Sequence, residues 1–119
     1  LDDIISYCLR SGIDGLVAGN TTRSRDGLTS ISQEKIEEIG NGGLSGAPLY
    51  SKKLELVKYV HAKSEGKLPI IGVGGIMTPE QAKEVLDAGA SLVEIYSGFI
   101  YEGPALIRNI NKYLENTAK

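Results

Sequence analysis

Pro69-Ile70-Ile71-Gly72-Val73-Gly74-Gly75 is followed by Thr78-Pro79-Glu80-Gln81 and, one helix length later, by Gly89-Ala90-Ser91-Leu92-Val93-Glu94-Ile95. The first run, 69–73, is continuously apolar and too short for a helix, the pattern of a strand buried on both faces. Thr78 reads as an N-cap, Pro79 as the first helical residue and Gln81 as the third residue after the cap, with Gly89 beyond the end. Ala82, Val85 and Leu86 form the core face of that helix. Residues 91–95 predict a second strand. A strand, a helix and a strand imply a parallel pair, because a short hairpin cannot join parallel neighbours and a helical crossover can.

The pattern extends in both directions. Upstream, Gly15-Leu16-Val17-Ala18 predicts another short buried strand, preceded by a helix whose face is Leu1, Ile4, Ile5, Cys8 and Leu9 and whose stop is Gly12. Residues 20–32 are polar, as in a long surface loop, and residues 33–39 predict one or two helical turns. Gly42-Gly43-Leu44-Ser45-Gly46-Ala47-Pro48 forms a turn ahead of a helix over about 51–62, with Leu54, Val57, Val60 and His61 on its inner face. Downstream, Tyr96-Ser97-Gly98 leads to Pro104, which opens a last amphipathic helix through Leu106, Ile107, Ile110 and Leu114. An open doubly wound sheet concentrates its site at one strand-order switch, whereas a barrel places it at the ends of many strands. Glycine-rich ends follow at least two strands here, which favours the barrel. A whole barrel takes about 250 residues, so the chain of 119 residues is expected to be half of one, an α/β fold in a single domain.

Composition narrows the class. No run approaches the roughly 18 apolar residues of a membrane-spanning helix, and the start lacks the order of a signal peptide. The 13 basic residues are interspersed among 15 acidic ones for a net charge of −2, which argues against a nucleic-acid partner. One cysteine, Cys8, excludes an internal disulfide. The opening at Leu1, inside a helical pattern with no N-cap, leads to the expectation of a fragment.

Three constellations carry chemistry. Gly74-Gly75 after a buried strand suits a phosphate, because glycine lets backbone N–H groups approach an anion; a tight strand-to-helix turn is the structural alternative. Three glycines within 42–46 cost backbone entropy that packing alone seldom requires, which points to close approach of a ligand, the alternative being a mobile loop. Asn20-Thr21-Thr22 offers amide and hydroxyl groups suited to a planar imide or amide, or else a cap or Asx-turn. His61, the only histidine, reads as a packing residue, and Cys8 as core. No metal-ligand spacing is present.

Gly19-Asn20-Thr21-Thr22, Gly42-Gly43-Leu44-Ser45-Gly46, the 69–76 stretch, Ala88-Gly89-Ala90-Ser91-Leu92-Val93 and Tyr96-Ser97-Gly98-Phe99-Ile100-Tyr101-Glu102-Gly103-Pro104 resemble, in order and spacing, the C-terminal signatures of dihydroorotate dehydrogenases. The last segment resembles the quinone-using class 2 forms. The resemblance implies the C-terminal half of a TIM (β/α)8 barrel, residues 1–119 being part of an FMN-binding domain. It implies orotate or dihydroorotate on Asn20 and Thr21, and FMN on Gly46, Gly75, Tyr96 and Ser97, with Gly19 and Gly74 beside them. It also implies a serine base, a flavin-contacting lysine and quinone-admitting helices upstream of this segment, and a peripheral membrane location on the cytoplasmic side for the parent enzyme. Neither Ser24 nor Ser45 lies in a matching motif for the base, so no catalytic residue is expected here and the segment alone is expected to be inactive. Gly19 stands where the family usually has Thr. The alternatives are a stand-alone phosphate-ligand module and another flavin barrel such as tRNA-dihydrouridine synthase. A half barrel with open strand edges is also expected to self-associate.

Overall fold

A computed structural model describes residues 1–118. The elements run α1 (Asp2–Ser11), β1 (Leu16–Ala18), α2 (Gln33–Ile39), a 3-10 turn (Ala47–Leu49), α3 (Tyr50–Lys63), β2 (Ile70–Val73), α4 (Pro79–Asp87), β3 (Leu92–Glu94), α5 (Ser97–Glu102) and α6 (Ala105–Thr117). The strands form one parallel sheet in the order β1-β2-β3, with Leu16 opposite Ile70, Ala18 opposite Gly72 and Gly72 opposite Val93. The fold is a mixed α/β arrangement around this small sheet.

Local chemistry sets the boundaries. Thr78 caps α4 by accepting the Gln81 N–H at 3.2 Å, and the Gln81 side chain accepts the Met77 N–H at 2.8 Å, one residue earlier than a capping box requires. Gly72 lets α4 and α3 lie close on the sheet, since a Cβ there would stand 2.5 Å from Val85 Cγ1 and 3.4 Å from Val57 Cγ2. Ile70, Val57, Val60, Ala82, Val85 and Ile110 make the centre of the core, between the sheet and the helices.

Only one sheet face takes part in that core. Side chains alternate along a strand, and the second set contains Val17, Ile71, Leu92, Val73 and Glu94. Val17 is 53% exposed and Leu92 62% exposed. The expectation that β2 is buried on both faces is therefore corrected: Ile71 and Val73 are only half-buried, because no element among the described residues lies over that face. The molecule measures 45 × 38 × 18 Å, and its thinnest dimension matches one helix layer of about 10 Å packed on one sheet. Its radius of gyration, 15.7 Å, exceeds the roughly 13.5 Å of a compact domain of this length. A parallel sheet is normally covered on both faces. Val17, Ile71 and Leu92 form a row of branched side chains of the kind that fills a barrel interior.

Three further expectations change. On α1 only Ile5 and Cys8 are buried, while Leu1, Ile4 and Leu9 are exposed, because α3 is the principal neighbour of α1. His61 is exposed at the edge of the inner face of α3, beside Gly89 and Gly66, while Val57, Val60 and the following Ser64 occupy the centre of that face. The interval before Pro104 contains α5. Tyr96, Phe99, Ile100 and Tyr101 favour strands and no side chain caps this helix, so packing holds it: a Cβ on buried Gly98 would lie 2.4 Å from the Ile76 carbonyl oxygen.

The uncovered face has a measurable consequence. The chain produced by itself is expected to associate, as exposed apolar area is removed from water at about 25 cal/mol per Å2. In analytical ultracentrifugation its sedimentation coefficient should rise with concentration; a folded monomer at every concentration would contradict this.

Candidate functional site

A cavity of about 350 Å3 opens at the C-terminal ends of all three strands. It is lined by all eight residues that the sequence pointed to: Gly19, Asn20 and Thr21 after β1, Gly46 before the 3-10 turn, Gly74 and Gly75 after β2, and Tyr96 and Ser97 after β3. Ser45, Leu49, Val73, Ile76, Glu94 and Gly98 complete the lining. Of these, Glu94 was legible only in retrospect: strand alternation puts it on the open face, in register with Val73.

One end of the cavity is a cradle of backbone. Gly75 has φ +76, and a Cβ added there would meet Tyr50 N at 2.4 Å and Tyr50 Cα at 2.6 Å. The start of α3 therefore closes on the β2 turn at a distance only glycine allows. Tyr50 is tied across to α4 by donating its hydroxyl to Glu84, and burial, together with that carboxylate, raises its pKa above the ordinary tyrosine value. At Gly46, with φ +88, an added Cβ would stand 3.6 Å from Ser97, so the β3 turn and the glycine loop meet at this end. The N–H groups of Gly75 and Ser97 donate to no acceptor among the described residues. Unpaired N–H groups converging on one cavity are suited to an anion.

The other end carries the amide and hydroxyl. Asn20 Oδ1 accepts from the Thr21 N–H at 2.8 Å and from Thr21 Oγ1 at 3.4 Å, which leaves the two amide N–H groups of Asn20 as its unspent donors. The bond runs to the next residue, whereas an Asx-turn would take the N–H of Thr22, which pairs with the Leu44 carbonyl instead; the Thr21 contacts orient the amide. Thr21 is in turn backed by Gly43, where a Cβ would stand 2.0 Å from Thr21 Oγ1. Thr22 and Leu44 exchange backbone hydrogen bonds at 3.1 and 2.7 Å, joining the two sides of the 20–46 excursion.

At Gly19 the space of a side chain is occupied from α3. A Cβ there would meet Leu56 Cδ2 at 2.8 Å and Lys53 Nζ at 3.1 Å, both mobile ends that can shift. Burial, and secondarily the charge of Lys52, pushes the Lys53 ammonium below the ordinary lysine value. Ser45 lines the cavity; Ser24 instead hydrogen-bonds Asp26 at 2.8 Å. No cluster of metal-ligating side chains occurs among the described residues, and no helix among them is long and apolar enough to cross a membrane.

The family model for dihydroorotate dehydrogenase matches residues 1–117. The chain belongs to the dihydroorotate dehydrogenase family. Among its curated relatives, the dihydroorotate dehydrogenase (quinone) of Salinispora arenicola is 50% identical over 106 residues, covering 89% of this chain and 31% of its own length. That of Christiangramia forsetii is 51% identical over 112 residues, covering 94% of this chain and 32% of its own length. The chain thus spans about a third of these relatives. A crystal structure of the Eimeria tenella dihydroorotate dehydrogenase in complex with ferulenol superposes with a TM-score of 0.86 at 37% identity, over 98% of this chain and 30% of that one. These dihydroorotate dehydrogenase relatives leave the stand-alone phosphate module and tRNA-dihydrouridine synthase without support.

Proposed function

We propose that this chain is the C-terminal, cofactor-gripping part of a quinone-dependent dihydroorotate dehydrogenase, one side of a (β/α)8 barrel whose remaining strands cover Val17, Ile71 and Leu92. The observation that carries the reading is the convergence of three strand ends on one cavity, with a glycine cradle at one end and an amide donor at the other. FMN fits the cradle by chemistry. Its phosphate would take the N–H groups of Gly75 and Ser97, with Gly46, Gly74 and Tyr96 around it, at a turn that the close approach of Tyr50 to Gly75 holds in place. When bound, FMN supplies the hydride acceptor for oxidation of dihydroorotate to orotate in pyrimidine biosynthesis, with a quinone as the subsequent acceptor.

The residues of this chain bind and orient. Asn20, its oxygen held by Thr21, presents N–H donors to ligand carbonyl or carboxylate oxygens. Thr21 offers a hydroxyl fixed against Gly43. Gly19 contributes backbone to the cavity wall, its side-chain space being taken by Leu56 and Lys53 of α3. The proton-removing base belongs to the remainder of the enzyme, so this chain alone is inactive in turnover. Membrane association of the whole enzyme likewise belongs to that remainder.

The test is Asn20→Ala in the full-length gene product. Loss of charge-assisted amide donors is expected to weaken orotate binding by about 1.5–3 kcal/mol, read as a shift in the orotate titration of the flavin absorbance bands. FMN content should be unchanged. Unaltered orotate affinity would remove Asn20 from the substrate site.

A further inference from the structure

Arg25 lies outside the cavity lining, yet it ties together the two segments that carry the cavity's polar groups. Its guanidinium donates to the carbonyl oxygens of Gly40 at 3.2 Å, Gly42 at 2.5 Å and Thr22 at 3.4 Å. Gly40 is the C-cap of α2, a helix with no basic residue in its last turn. Helix ends leave carbonyls without intrahelical partners, and Arg25 reaches across to this end from the β1 side of the excursion. The other tie in the loop is the Thr22–Leu44 backbone pair. Gly43 sits between these two ties, packed on Thr21, the neighbour of Thr22, in a contact that leaves no room for a Cβ.

We propose that Arg25 is a positioning residue for the substrate end of the site: by bridging Thr22 to Gly40 and Gly42 it fixes the 20–22 segment against the 42–46 segment, and so sets where Asn20 and Thr21 meet the substrate. The inference rests on the reading of that end as the orotate and dihydroorotate site. The guanidinium is suited to this work because it holds several N–H donors in one rigid plane, which a lysine ammonium cannot reproduce. Arg25 lies outside the cavity lining and acts through the backbone of Thr22, next to Thr21, and of Gly42, next to Gly43.

The experiment uses the full-length gene product with Arg25→Lys and Arg25→Gly. Both variants are expected to raise the orotate Kd and the KM for dihydroorotate about tenfold, the equivalent of one charge-assisted hydrogen bond. The change in kcat should be smaller than the change in KM, and FMN content and melting temperature should be retained. Added guanidinium should restore orotate affinity to Arg25→Gly and leave Arg25→Lys unchanged. Unaltered orotate affinity in both variants would overturn the proposal. So would a loss that follows FMN content and is not rescued by guanidinium, since Arg25 would then serve only to hold the loop folded. A wild-type protein that binds FMN but neither orotate nor dihydroorotate would instead overturn the substrate-site reading, and this inference with it.

Discussion

Gly75→Ala is expected to lower the stability of the full-length protein by about 2–5 kcal/mol and to abolish retention of FMN. The figure combines about 1–2 kcal/mol for an alanine in a left-handed conformation with roughly 1–3 kcal/mol for overpacking. The second contribution is large here because the obstruction is backbone. The new Cβ would press on Tyr50 N and Cα, and the first turn of α3 cannot rotate away as a side chain would. Gly46→Ala is the control. Its φ of +88 is similar to the +76 of Gly75, but its nearest neighbours are Ser97 Cβ and Oγ at 3.6 Å, an ordinary contact. Gly46→Ala should therefore show the conformational part alone. Thermal melts of both apoproteins measure the difference, and equal losses would refute the close approach of α3 to the β2 turn.

Ser97→Asp separates anion binding from folding. Ser97 is the first residue of α5 and half-buried, and a carboxylate at a helix start is well tolerated. A like-charge pair 4 Å apart costs roughly 4 kcal/mol at an effective dielectric of about 20, and solvent at a half-exposed position removes part of it. FMN affinity is expected to fall about a hundredfold, while the melting temperature of the apoprotein holds or rises. Titration of the apoprotein with FMN, followed by quenching of flavin fluorescence, measures the effect. Undiminished affinity would place the phosphate elsewhere.

The sequence was most legible where local chemistry decides the structure. The boundaries of α4 follow from Thr78, Pro79 and Gln81, and the three strands from short apolar runs flanked by glycine. The site was legible for a related reason: Asn20, Gly75 and Ser97 belong to motifs that follow strands, Gly46 to a glycine-rich turn ahead of a helix, and parallel strand ends converge on one edge. What the sequence concealed depends on partners. Apolar residues at Leu1, Ile4, Val17 and Leu92 read as core because the code for burial is the same whether the covering surface lies in this chain or beyond it. His61 falls at the edge of the inner face of α3, about 40° round the helix from Val57, where it packs beside Gly89 and stays exposed. The short helix α5 carries strand-favouring residues and is stabilised by contact with the Ile76 backbone. The role of Arg25 could not be read in advance, since its partners are carbonyls 15 and 17 residues away.

The most direct measurement is a crystal structure of the full-length gene product with FMN and orotate. The account predicts the FMN phosphate within hydrogen-bonding distance of the Gly75 and Ser97 N–H groups, orotate against the Asn20 amide, and Val17, Ile71 and Leu92 sealed inside a closed barrel. A phosphate bound away from the β2 and β3 turns, or a sheet whose open face remains in solvent, would contradict it.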